Sequence, residues 1–175
     1  FSLAFPRRIF LIMLVSGTIV VLWGLPVRLP GTLSFDPTCY FFKGGFDTAC
    51  WTQAFRPEIR MFSTLGQPAW LAAYVAVLFP ISLAFTLLLW QKMQKKLLSL
   101  STLGIVSLAM LTISFYMVLL YTNTRAGFLA IWLGLLVFWV LVFFLRIFSR
   151  KQFLVSCIVS IAVFSSAYPL SLPLV

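Results

Sequence analysis

Two arginines stand out in this chain for the chemistry their surroundings would support. Arg60 opens the run Arg60-Met61-Phe62-Ser63-Thr64-Leu65-Gly66-Gln67-Pro68, which leads into a long apolar stretch. Proline suits the first helical position, because the N–H it lacks would be unpaired there and its φ is preset, so the spacing predicts a helix starting at Pro68. Gly66 just before it serves a sharp turn or a close approach to a ligand. Arg125 follows Thr122-Asn123-Thr124, where Thr124 or Asn123 offers a hydroxyl or amide oxygen as N-cap for a second helix. That puts Arg125 in a first turn, against the positive end of the helix dipole, a position that favours an anionic partner. Helix N-termini present bare N–H groups to anions, and a guanidinium adds a planar fork matched to phosphate. The alternative is that both side chains simply snorkel to lipid headgroups.

What must position these residues is a set of membrane spans. The chain has 175 residues, 62% of them hydrophobic and 9% charged, and a mean hydropathy of +1.09. This is far outside the range of water-soluble domains. A net charge of +10 raises the question of nucleic acid, but the basic residues cluster at the ends of apolar runs and form no stripe, so a nucleic-acid partner is not expected. Five runs, 9–27, 69–90, 97–121, 126–145 and 152–168, approach the ~20 residues needed to cross a bilayer, and none contains Asp, Glu, Lys or Arg. The expected fold is all-α: a polytopic transmembrane helix bundle of about five spans, with residues 1–175 forming part of one transmembrane domain. The first run is too long, and lacks the cleavage site, for a signal peptide. Phe1 at the start and a Pro-containing stretch at the end read as an internal piece of a longer protein, truncated at both ends.

Lys and Arg flank spans preferentially on the cytoplasmic side. With Arg7 and Arg8 inside, eight of the 13 basic residues fall inside, and the other five share the outside with all three acids, Asp36, Asp47 and Glu58. Residues 28–68 then form an outer loop, and Tyr121-Thr122-Asn123-Thr124 an outer turn, so Arg60 and Arg125 face the same side. The loop carries Tyr40, Phe41, Phe42, Phe46, Trp51 and Phe55, which suit either a segment lying on the membrane interface or a solvated aromatic cluster. Cys39 and Cys50 share it and are candidates for a disulfide, whereas Cys157 falls within the last span. Trp70 and Trp90 bracket the second span, and Pro80 in its middle predicts a kink. Histidine is absent, and no zinc spacing, Walker motif or dinucleotide motif occurs, so no metal or cofactor is expected.

The two motifs, in this order and with this hydropathy, resemble the O-antigen ligase and O-antigen polymerase superfamily. Its members carry R-x-x-G-T-x-G-N-P-N-x-x-A, similar to Arg60 through Ala72, and a later T-x-S-R-G/A-G, similar to Thr122 through Gly127. The resemblance covers residues 60–148. Gln67 and Ala69 stand where the family often has Asn, and Thr124 replaces its usual Ser; polarity is kept at Gln67 and Thr124 and lost at Ala69. The family's large histidine-bearing outer loop would lie beyond Val175.

The resemblance implies a multi-pass protein of the bacterial inner membrane. It implies a glycosyltransferase that moves a glycan from a polyprenyl-diphosphate-linked donor to a glycan, lipid or protein acceptor. Arg60 and Arg125 would be catalytic, and Thr64, Gly66, Gln67 and Thr124 substrate-binding. Cations fixed in a dry site would stabilise charge developing on the departing diphosphate without a metal. A transporter or flippase of lipid-linked sugars is the competing class, and would be expected to carry ionisable or broken-helix sites near the bilayer midplane.

Overall fold

The computed structural model describes residues 4–29, 35–43, 59–92, 100–146 and 148–171. It is helical throughout its ordered elements: α1 (Ala4–Gly24), α2 (Pro37–Lys43), α3 (Pro68–Lys92), α4 (Leu100–Tyr121), α5 (Arg125–Phe144) and α6 (Arg150–Ser171). Single 3₁₀ turns at Leu25–Arg28 and Ser63–Leu65 complete them. Among the described residues, four helices are long and apolar enough to cross a membrane: α1 with its 3₁₀ extension, α3, α4 and α5. The expected fifth span is helical as α6, 22 residues long. The chain is a multi-pass membrane protein.

Each boundary has a local cause. α1 gives way to a 3₁₀ turn where Pro26 removes a donor from the helical ladder. α2 begins at Pro37 behind Asp36, whose Oδ1 accepts the Thr38 N–H at 2.8 Å, an N-cap the sequence spells as Asp-Pro. α3 starts at Pro68, as the spacing predicts. α6 opens on a capping box: Ser149 Oγ accepts from the Gln152 N–H at 3.4 Å while Gln152 Oε1 accepts from the Ser149 N–H at 3.3 Å. Pro80 does not end α3, which runs helical for 25 residues across it.

α3 is the central helix, with 44% of its spanning window buried against 22% for α1. It packs antiparallel to α4 through Leu71, Val75, Leu78 and Phe79 against Phe115, Val118 and Leu119, all 1% exposed or less. Apolar burial cannot drive helix association inside lipid, where the tails are equally apolar, so small residues and hydroxyls carry more of the specificity. Thr112 Oγ1 donates to Ser82 Oγ at 3.1 Å, joining α4 to α3. α6 is held by Tyr116, whose hydroxyl donates to the Phe164 carbonyl at 2.7 Å, while Phe79 and Tyr116 pack on the Phe164 ring.

α1 shows how one sequence faces two environments. Leu14, Gly17, Val21 and Gly24 are buried, and Ile12, Val15, Ile19 and Leu22 are 59–68% exposed, each set at helical spacing. The outward set forms an apolar face suited to lipid. Gly17 is the contact point, because a Cβ there would collide with Leu78 Cδ1 and lie 2.9 Å from Phe115 Cζ, on two side chains with no exposure. Gly17→Ala should therefore destabilise the bundle by ~1–3 kcal/mol. Gly134→Ala on α5, where a Cβ meets nothing within 4 Å, should be neutral or mildly stabilising. Thermal unfolding in detergent checks the pair, and equal melting points would contradict the close α1 packing.

Candidate functional site

The last four carbonyls of any α-helix have no partner within it, and at α4 all four find one. The Thr122 N–H donates to Val118 O at 3.1 Å and Leu119 O at 3.2 Å, and the Thr122 hydroxyl donates to Leu119 O at 2.6 Å. The Asn123 N–H reaches Leu120 O at 3.0 Å, with Asn123 itself at φ 49, the left-handed backbone that asparagine tolerates better than most. The fourth carbonyl, Tyr121 O, accepts from outside the helix: the Met61 N–H at 2.9 Å and Arg28 Nη2 at 3.1 Å.

Arg28 thereby becomes a clasp. The same Nη2 donates to Ile59 O at 3.0 Å, and the guanidinium carbon lies 4.9 Å from the centre of the Tyr121 ring. Its positive charge sits at the negative end of the α4 dipole, where a cation is favoured. Three segments meet there: the 3₁₀ end of α1, the irregular segment 59–62, and the α4 terminus. Met61 and Phe62 are buried at 1% and 4% exposure, and the Ser63 hydroxyl donates to Val20 O at 2.6 Å, pinning the next turn to α1. Gly66 closes that turn at φ 74, which explains a glycine at this position without any ligand.

Onto this frame fall the residues singled out by sequence. Arg60 is exposed and is the neighbour of Met61, so its backbone is tied to Tyr121, four residues before Arg125. Arg125 is exposed in the first turn of α5. The N-terminal ends of α3 and α5 are side by side: a Cβ on Gly127 would stand 2.7 Å from Ala72 Cβ and 2.6 Å from Thr124 Oγ1. Both arginine-bearing segments and both helix N-termini thus share one end of the bundle. Thr64, Gly66 and Gln67 are exposed there, and the Gln67 carbonyl accepts the first helical bond of α3, from the Leu71 N–H at 3.1 Å.

Thr124 departs from expectation. It is the N-cap residue of α5 by backbone, but its side chain caps nothing; the hydroxyl pairs instead with that of Thr122 at 2.9 Å. The two threonines close the turn, and the α5 N-terminus is left without a side-chain cap.

α2 docks on the same end. The Trp23 indole N–H donates to Thr38 Oγ1 at 3.1 Å and its ring stacks on Phe41 with centroids 5.5 Å apart. Phe41 is 69% exposed, as befits a ring at the membrane interface. Cys39 is buried and disulfide-bonded, and Cys157 is free. Cys50, expected to pair with Cys39, lies outside the described residues, as do Phe46, Trp51 and Phe55. No group of three or more His, Cys, Asp or Glu side chains is placed to hold a metal among the described residues.

No protein-family model, curated protein or solved structure matches the chain. The site therefore has to be read from its own chemistry. Sequence reasoning missed Arg28 and Ser63, which hold the frame. Arg28 carried one signal: it is a cation on the side of the membrane where the charge pattern places few. Arg28→Ala should release the 59–62 segment, raising hydrogen exchange at the Met61 amide by about tenfold for each ~1.4 kcal/mol lost, with α3 amides unchanged. Unaltered Met61 exchange would mean the clasp contributes nothing.

Proposed function

We propose that this chain is the donor-binding part of a membrane glycan transferase, acting at the face that bears Arg60 and Arg125 on a polyprenyl-diphosphate-linked oligosaccharide. The observation that supports it most is the Met61-to-Tyr121 hydrogen bond, because it gathers two separate arginine motifs at one end of the bundle. Beside them lie two helix N-termini, one without a side-chain cap, which is a favourable setting for an anion.

In such a site the acceptor hydroxyl attacks the anomeric carbon as its bond to the diphosphate breaks, and the hydroxyl proton passes to the departing diphosphate. Negative charge grows on the leaving diphosphate. Guanidinium groups already in place there lower the barrier, since they need no reorganisation as the charge develops. Arg125 suits this task by its unfavourable position on the helix dipole, which a bound diphosphate would reverse. Thr64 and Gln67, both exposed, supply neutral donors around the headgroup, and the Thr124 hydroxyl, which donates to Thr122, keeps a lone pair only.

The competing transporter class would be expected to carry ionisable or broken-helix sites near the midplane. α3 runs helical across Pro80, and the hydroxyls of Ser82, Thr86 and Thr112 bond helix carbonyls and each other, which supports the transferase reading over it.

In the full-length protein, Arg125→Ala and Arg60→Ala should each reduce transfer from a lipid-diphosphate-linked oligosaccharide by on the order of 10²–10³. Arg125→Lys should also be impaired, because it keeps the charge and loses the planar fork. Membrane insertion should be unchanged in all three. Normal transfer by both alanine variants would leave headgroup snorkelling as the role of these side chains.

A further inference from the structure

At the opposite end of the bundle, Leu145 and Arg146 turn the chain out of α5 before α6 begins. A cavity of about 830 Å³ lies between the two helices, lined by Trp132, Leu136 and Trp139 of α5 and by Phe153, Cys157 and Ile161 of α6. A second, of about 720 Å³, is lined by Arg146, Ser149 and Arg150. Phe143, Phe144 and Phe153 line both, which makes one groove, apolar along its length and cationic at its mouth.

The charge at that mouth has no counterpart in this part of the chain. Arg146, Arg150 and Lys151 are all exposed, while residues 125–171 contain no Asp or Glu and the three acids of the protein all fall between α1 and α3. Arg146 also sits at φ 49, a left-handed backbone that an L-residue adopts at a cost and that glycine would adopt freely. The turn it makes leaves the Arg146 side chain lining the mouth of the groove. The length of the apolar stretch matches an occupant as well. From Phe143 to Trp132 is about 16 Å of helix at 1.5 Å per residue, near half of a ~30 Å hydrocarbon core and thus the depth of one leaflet.

We propose that this groove binds one anionic phospholipid of the adjacent leaflet, with an acyl chain along Trp132, Trp139 and Phe143 and the phosphate held by Arg146 and Arg150. A zwitterionic lipid would fill the apolar stretch equally well but return less attraction at the mouth. The site is separate from the Arg60–Arg125 end and does not depend on the reading given to it.

Brominated lipids quench tryptophan on contact, and Trp132 and Trp139 line the groove. The protein and its Trp132→Phe/Trp139→Phe variant would be reconstituted in vesicles titrated with brominated phosphatidylglycerol or brominated phosphatidylcholine. The difference between the two proteins isolates the groove emission. It should be quenched at an at least roughly fivefold lower mole fraction of the anionic lipid, on the scale expected for one basic residue near a lipid phosphate. Arg146→Gln/Arg150→Gln should abolish that preference, and in the unaltered protein 0.5 M salt, an added condition of roughly that strength, should weaken it. Equal quenching by the two lipids, or a preference that survives both the glutamine substitutions and the salt, would overturn the proposal.

Discussion

The carbonyl of Tyr121 is the point on which one end of this bundle depends. It is the last acceptor of α4, and the helix itself offers it no partner. Two donors from distant parts of the chain meet it, the Met61 amide and the Arg28 guanidinium. The segment between α1 and α3 is thereby attached to the turn between α4 and α5. Everything proposed for Arg60 and Arg125 follows from that attachment, since one is next to Met61 and the other begins the helix after the turn.

The rest of the fold supplies rigidity beneath this end. α3 is central, α4 lies along it through fully buried apolar side chains and the Ser82–Thr112 hydrogen bond, and α1 closes in where Gly17 leaves room for Leu78 and Phe115. Gly127 does the same for α5 against Ala72. In lipid these close approaches matter more than apolar area, because burying Leu129 or Phe144 against protein gains little over leaving it in the membrane. That is why α5 keeps large apolar residues 60–75% exposed along one face, and why its divergence from α6 leaves a groove that lipid can fill.

Span positions were legible in the sequence, because hydropathy and helix length are set by the same bilayer thickness. So was the start of α3 at Pro68, a property of one residue's ring. The capping role of Thr124 was not: its hydroxyl had two partners within reach, the α5 amides and the Thr122 hydroxyl, and only the packed turn decides between them. Arg28 was hidden for a different reason. Its partners are carbonyls 31 and 93 residues away, and backbone acceptors leave no trace in residue type. Asn123, a candidate N-cap by residue type, instead takes the left-handed backbone at which the chain reverses.

The attachment of the two arginine segments is best tested by a distance. Spin labels on Cys at positions Ile59 and Asn123, in a Cys157→Ser background, flank the Met61-to-Tyr121 hydrogen bond by two residues on each side. With ~3.8 Å per Cα step, their backbones should lie within about 20 Å of each other. Double electron–electron resonance in bilayers should give a narrow, short distribution, and Arg28→Ala should broaden it. A broad distribution centred well beyond about 30 Å in the unaltered frame would contradict the account, because Arg60 and Arg125 would then have no common end of the bundle to share.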